Sequence, residues 1–306
     1  MDWSELIAVL SSDKTGTVPD IKLPILPAAF IEFTRKAKQP DITPRELSGV
    51  LETDTGLTCA LLRYANSGAI GLRKSVTSTQ RAIGLLGIRA TETYLATTAI
   101  KLAMKERESK LINLKNFWFE NLERALFARH VARLIGADTE LAYAAAMLQD
   151  YLLPIITNEF YEDYVQFAEQ TQDQPCDVVE FEQNRFGWNH AEVGARIMFD
   201  WGIPEDLVCC VLVHHRGRRV LSDPELRNTA AAAVAVSSLV PDALGQVPNG
   251  LDQLLDLDET WPQFNLPEIA EQIDEEIQEL SQNATNQFSL LKRYQKVTRQ
   301  HELVGS

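Results

Sequence analysis

Apolar positions recur along this chain at three- and four-residue spacing, separated by short polar punctuation, and almost every long segment reads as a helix. Leu23-Pro-Ile-Leu-Pro27 opens one helix. Thr43-Pro-Arg-Glu46 is a capping box, with Pro44 at the first helical position. Thr77-Ser-Thr-Gln80 repeats that logic before another helix. Asp54 caps a segment carrying Leu57, Leu61 and Leu62, and Gly68 ends it. Leu95, Thr98, Ala99 and Leu102 keep helical spacing on the next element.

A second set of helices begins near Asn116. Residues 117–135 carry Trp118, Leu122, Ala125, Leu126, Val131 and Leu134, with Gly136 as a stop. Residues 139–149 are rich in alanine, which predicts a tightly packed central helix. Pro154 kinks or restarts the chain after it, and Pro175 and Gly187 punctuate the following segments. Two further helices are expected over 205–215 and 225–240. Residues 241–266 read as a long connection. After Pro267, Ile269, Ile273, Ile277 and Leu280 form one face of an amphipathic helix. The expectation is an all-α protein in four parts: an extension over 1–19, a helical bundle over 20–112, a second bundle over 113–240, and an acidic connection with further helices over 241–306.

At 306 residues and 45% apolar content the chain can bury a substantial core. No apolar run reaches the roughly 18–20 residues that a membrane helix needs. The start, Met1-Asp-Trp-Ser-Glu-Leu6, lacks the basic, then apolar, layout of a signal peptide, so a cytoplasmic location is expected. Cys59, Cys176, Cys209 and Cys210 form no CxxC pair, which argues against a zinc knuckle; the adjacent pair reads as small core residues.

The net charge of −14 argues against nonspecific attraction to nucleic acid or anionic membrane. Its distribution is uneven. Residues 60–110 hold nine basic and three acidic side chains, whereas residues 242–286 hold eleven acidic and no basic ones. Both stretches read as solvated helix faces or as surfaces that dock electrostatically, within or between chains. Arg73, Lys74 and Arg81 are the residues expected to face a partner on the basic stretch.

Several ordered motifs resemble one family. Leu23-Pro-Ile-Leu-Pro27, Leu61-Leu-Arg-Tyr-Ala-Asn-Ser67 and Ala82-Ile-Gly-Leu-Leu-Gly87 are followed by Gln149-Asp150, His190-Ala-Glu-Val-Gly-Ala195, Trp201-Gly-Ile-Pro204 and the pair His214-His215. Together, over roughly residues 20–240, they resemble the HDOD domain, a bacterial signalling relative of the HD phosphohydrolases. The resemblance implies a helical regulatory module whose hydrolase frame lacks part of the hydrolase site. The first ligand histidine of the hydrolases falls at Glu120, the His of the His-Asp step is Gln149, its partner is kept as Asp150, and the last ligand aspartate falls at Ser238. His190, His214 and His215 correspond to additional ligand histidines of metal-rich relatives. Gln149 is a weak neutral ligand and Ser238 a poor one. The resemblance therefore implies no catalytic residue, no bound metal or cofactor, and action through a signalling protein partner, with a small nucleotide ligand and a homodimer left open.

Two other function classes stay open on the residues. A divergent metal-dependent phosphohydrolase would use Glu120, Asp150 and the histidines. A DNA-binding regulator would use the Gly87-Ile-Arg89 turn, although the apolar residues around it fit a bundle core. His130 and His301 have no partner pattern, and Trp118, Trp188 and Trp201 read as packing residues. No Walker loop, dinucleotide fingerprint or Gly-x-Ser-x-Gly elbow is present.

Overall fold

The computed structural model describes residues 3–11, 18–67, 75–105, 107–280 and 289–304. Among them every regular element is helical and none is a strand. The first set is α1 (Trp3–Ser11), α2 (Ala28–Ala37), α3 (Pro44–Leu51), α4 (Thr55–Ala65), α5 (Thr79–Leu86) and α6 (Ile88–Met104). The capping box forms: Thr43 Oγ1 accepts from the Glu46 N–H at 3.3 Å, and Glu46 accepts from the Thr43 N–H at 3.0 Å. Asp54 caps α4 through the Leu57 N–H. The cap of α5 is Ser78 rather than Thr77. Its hydroxyl accepts from Arg81 N–H, three residues on, so Gln80 sits one position too early to return a bond. Gly68, Arg73 and Lys74 lie outside the described residues.

The second set is α7 (Leu114–Ile135), α8 (Thr139–Leu148), α9 (Leu153–Glu159), α10 (Tyr161–Asp173), α11 (Val178–Phe186), α12 (His190–Asp200) and α13 (Glu205–Val213). A 3₁₀ segment over His214–Ser222, then α14 (Ala230–Ser237), α15 (Gly250–Thr260), α16 (Leu266–Leu280) and α17 (Leu290–Val304) complete it. Gly136 ends α7 at φ 69°, a left-handed conformation that L side chains resist. Pro154 restarts the chain as α9.

Three expected elements differ. The helix expected over 205–215 ends at Val213, because the chain tightens to 3₁₀ at the histidine pair. The helix expected over 225–240 begins only at Ala230, since residues 224–228 form turns after Asp223 accepts from the Glu225 N–H. The connection 241–266 contains α15, where Leu254 and Leu257 are buried at helical spacing; its Pro, Gly and Asn residues are concentrated at the two ends.

α2 to α6 pack on one another, and α6 continues onto α8. α7 and α8 form the centre of the second set, covered by α13 and α14, with α12 on α13. α14 is buried on all sides and made of Ala, Val and Ser, which lets its neighbours approach closely. α1 packs against α12 and α13. α16 lies on α7 through buried Ile269, Ile273 and Ile277, each supplying roughly 1.5–3 kcal/mol of apolar burial. Leu280 departs from that face and is 65% exposed. One contiguous apolar core runs through both sets. No helix among the described residues is long and apolar enough to cross a membrane.

Candidate functional site

Asp150 sits in the turn between α8 and α9, where the alanine-rich α8 brings the backbone close to α7 and α14. His190 is the first residue of α12, behind Asn189, whose side chain accepts from the Glu192 N–H. His214 and His215 follow α13. Consecutive α-helical residues diverge by about 100° and 3₁₀ residues by about 120°, yet the two rings, where α13 gives way to the 3₁₀ segment, lie 4.2 Å apart between centroids. Gly217 then turns the chain at φ 53° and ψ −142°, and a Cβ there would lie 3.1 Å from Leu239 Cδ2.

These elements make one cluster, buried at Asp150, His190 and His214 and half-buried at His215. One ligand-capable atom each of Asp150, His190, His214 and His215 lie within 4.8 Å of one another. Asp150 Oδ1 lies 3.2 Å from His214 Nε2 and 3.3 Å from His190 Nε2. The Nε2 atoms of His190 and His215 are 2.9 Å apart. The other nitrogens of two rings are already fixed: His190 Nδ1 donates to Glu182 at 2.8 Å, and His214 Nδ1 to the Val211 carbonyl at 2.6 Å. Glu182 also accepts from the His190 backbone N–H and from the Tyr164 hydroxyl.

The second oxygen of Asp150 is occupied by protein donors. Arg124 Nη1 donates to Oδ2 at 2.5 Å, Gln246 Nε2 at 3.2 Å and Gln149 Nε2 at 3.3 Å. Arg124 Nη2 reaches Asp242 at 2.8 Å and the Val240 carbonyl at 2.9 Å. The side chains of Asp150, His190 and His214 are 0% exposed and that of Arg124 is 2% exposed.

Burial opposes the charge of Asp150, yet hydrogen bonds from His190 and His214, reinforced by Arg124, hold its carboxyl well below the usual range. Burial also opposes the charge of His190, but Glu182 and Asp150 overcome it and push the imidazole up to about 10. His215 moves the other way: burial, then the neighbouring His214 and His190, keep it well below its ordinary value. The environments of the two facing imidazoles thus favour the proton on His190 over His215. His215 Nδ1 is buried and has no hydrogen-bond partner among the described residues.

The donor set fits one divalent cation. Three imidazoles and a carboxylate suit zinc or a similar ion, and the anchoring of His190 by Glu182 and of His214 by Val211 is the outer support that metal-ligating histidines receive. His190, His214, His215 and Asp150 would hold that ion. A bound ion supplies charge that polarises a phosphate and acidifies a coordinated water when a coordination position is open.

The expected positions divide. Gln149, Asp150, His190, His214 and His215 are gathered, with Asp150 at the centre. Glu120 is outside the cluster: it is half-buried on α7, receives a hydrogen bond from the Ala243 backbone, and burial followed by the charge of Asp242 raises its carboxyl. Ser238 is buried, but its hydroxyl donates to the His214 and Ala235 carbonyls; its neighbour Ser237 touches Gln149 Oε1 at 3.3 Å. Arg81 is exposed at the start of α5, away from the cluster. Arg124, Glu182, Asp242 and Gln246 were missed. Arg124 stands one turn beyond Glu120 on the same helix face, so its facing Asp150 was readable from spacing; Asp242 and Gln246 sit in an irregular segment that gave no such signal.

Comparison with known proteins fits this geometry. The profile of the HDOD domain matches residues 23–217. An uncharacterized protein of Treponema pallidum (strain Nichols) is 22% identical over 197 residues, covering 63% of this chain but only 37% of its own length. Among solved structures, an HDOD domain protein with unknown function from Geobacter sulfurreducens aligns with a TM-score of 0.53 at 23% identity, over 71% of this chain and 72% of its own. A candidate phosphohydrolase from Shewanella amazonensis SB2B gives 0.57 at 21% identity, over 88% and 86%. A candidate signal transduction protein from Marinobacter aquaeolei VT8 gives 0.52 at 16% identity, over 90% and 63%. At these identities the structural likeness shows the fold alone.

Proposed function

The chain belongs to the HDOD domain family, and from that premise we propose that it is a noncatalytic regulatory module of bacterial signal transduction that works by binding a protein partner. The carrying observation is the ion pair of Arg124 with Asp150 at 2.5 Å in a fully buried setting. A hydrolytic centre needs a metal with an open position and a route for substrate. Here a guanidinium holds one oxygen of the only carboxylate in the cluster, and the side chains of Asp150, His190 and His214 are sealed from solvent. The positions that the resemblance matches to the first ligand histidine, the His of the His-Asp step and the last ligand aspartate of the hydrolases hold Glu120, Gln149 and Ser238. The remaining groups bind, orient and hold protons, and their arrangement braces α7, α8, α12 and α13 against one another.

The convergence of Asp150 with three histidines favours a second reading, a divergent phosphohydrolase with one ion. Turnover separates the two. The purified chain, supplied in turn with magnesium, manganese and zinc, should hydrolyse phosphomonoesters, phosphodiesters and nucleotides no faster than its Asp150→Ala variant. Metal-dependent turnover that Asp150→Ala abolishes would put the enzyme reading first.

A further inference from the structure

A long groove lies on the opposite side of α8, between α6 and the α7–α8 pair, with a volume of about 1480 Å³. One face of α6 forms its wall from Tyr94 through Thr98 and Lys101 to Lys105. Those eleven steps span about 16 Å at 1.5 Å per residue. The floor is apolar, built by Leu141, Ala144 and Met147 of α8 and by Trp118 of α7. Two exposed leucines stand at its edges: Leu102 at 44% and Leu280 at 65%. This groove shares no residue with the Asp150 cluster.

Its charge is graded. At one end the cations are neutralised within the chain: Arg129 stacks on Tyr143 and pairs with Glu140 and Glu276, and Arg89 pairs with Asp206. Along the rest, Arg63, Lys101, Lys105 and Lys115 have no carboxylate within salt-bridge distance among the described residues. Lys101 is the most telling of them. Its ammonium lies 5.4 Å from the Trp118 ring centre and 3.8 Å from Met147 Sδ, in surroundings where burial lowers its pKa. A cation set among apolar groups without a counterion is unfavourable, and an anion entering the groove would relieve it.

Size selects among anions. Small-ligand sites typically enclose about 300–1000 Å³. A helix about 10 Å across and 16 Å long occupies about 1300 Å³, close to the volume here. An apolar floor beside a basic wall matches a helix with an apolar stripe and acidic flanks, read at i, i+3, i+4 and i+7.

We propose that this groove is the docking site for an acidic amphipathic helix of a partner protein. The proposal rests on the binding-module reading and supplies its surface. Leucines of the partner would enter over Met147 and Ala144, and its carboxylates would meet Lys101, Lys105 and Lys115.

The test uses the full chain and three fluorescent peptides of about 12 residues. One places leucine at i, i+3, i+4 and i+7 among glutamates. The second replaces the glutamates with lysines. The third scrambles the leucine positions at the same charge. The first should bind one per chain and weaken as salt rises from about 0.05 to 0.5 M. The others should not bind. Lys101→Glu with Lys105→Glu should weaken capture by about tenfold or more. Leu102→Asp should do the same through lost apolar contact; circular dichroism checks that the variants keep their helices. Equal binding of the scrambled or basic peptide, unchanged binding by the variants, no saturable binding at all, or stoichiometric displacement of the peptide by ATP would each overturn the proposal. The phosphatase assay is read separately: turnover alongside specific peptide capture overturns the noncatalytic reading and leaves the groove standing, and the converse pair of results does the reverse.

Discussion

Arg124 donates to Asp150 at 2.5 Å from a different helix, and both side chains are withdrawn from solvent. The same guanidinium holds Asp242 and the Val240 carbonyl, so it ties α7 to the turn after α8 and to the chain beyond α14. A buried ion pair gains little over a well-packed apolar substitute, but breaking one side of it leaves an uncompensated charge.

Arg124→Met should therefore be severely destabilising. It leaves Asp150 and Asp242 without their shared cation, and a loss of about 3–5 kcal/mol is expected. The urea midpoint measures it. Arg124→Lys should recover only part of the loss, because a single ammonium cannot reproduce three directed contacts. A change below about 0.5 kcal/mol for Arg124→Met would mean that the pair is not formed in solution.

Much of this was legible in the sequence. Helical spacing and the caps at Thr43 and Asp54 located the first set of helices, because both are local rules. Helical spacing does not bring Gln149, Asp150 and the histidines together; the resemblance does, and in the structure they lie side by side. Asp242 and Gln246 reach Arg124 and Asp150 from irregular backbone more than ninety residues away, where no period relates position to direction. Glu120 stands where the resemblance puts the first ligand histidine, and Arg124, one turn further along α7, holds the position against Asp150. α15 was hidden by the Pro, Gly and Asn residues flanking it, although Leu254 and Leu257 lie at helical spacing.

Metal loading should saturate at about one zinc per chain rather than two, because the four convergent donors constitute one site. Equilibrium dialysis followed by elemental analysis reads the stoichiometry. His215→Ala and His190→Ala should each weaken binding by about tenfold or more. Two tightly held ions, or binding indifferent to these substitutions, would show that the ligands lie elsewhere.

Tyr164→Phe should destabilise the protein by about 1–3 kcal/mol. The Tyr164 hydroxyl donates to Glu182 Oε1 at 2.5 Å in a buried setting, and its removal leaves that carboxylate oxygen short of a partner. Glu182 in turn fixes the His190 ring through Nδ1, so the variant should also loosen the imidazole. Thermal unfolding gives the first effect and the width of the His190 side-chain NMR resonance gives the second. Wild-type stability in the variant would mean that water replaces the phenol.

Glu123 should contribute a loss of stability as pH rises from about 4.5 to 7, opposite in sign to the contribution of His215 over the same range. Burial is the dominant influence on this carboxyl and pushes it up to about 7, although Oε1 accepts from the Leu290 N–H at 2.8 Å. Unfolded, the group titrates near about 4.3. Between those values the native state holds a proton that the unfolded state has released, so each rise in pH favours unfolding. The full penalty, on the order of 3 kcal/mol, is present above the folded value and absent below the unfolded one. Glu123→Gln keeps an acceptor for the Leu290 N–H and cannot ionise. The Glu123 contribution to the denaturant midpoint should accordingly be relieved in Glu123→Gln, so that the gap between variant and wild type is larger at pH 8 than near pH 4. Parallel pH profiles for both proteins would show that Glu123 is not raised, and that α17 does not dock onto α7 through a neutral carboxyl.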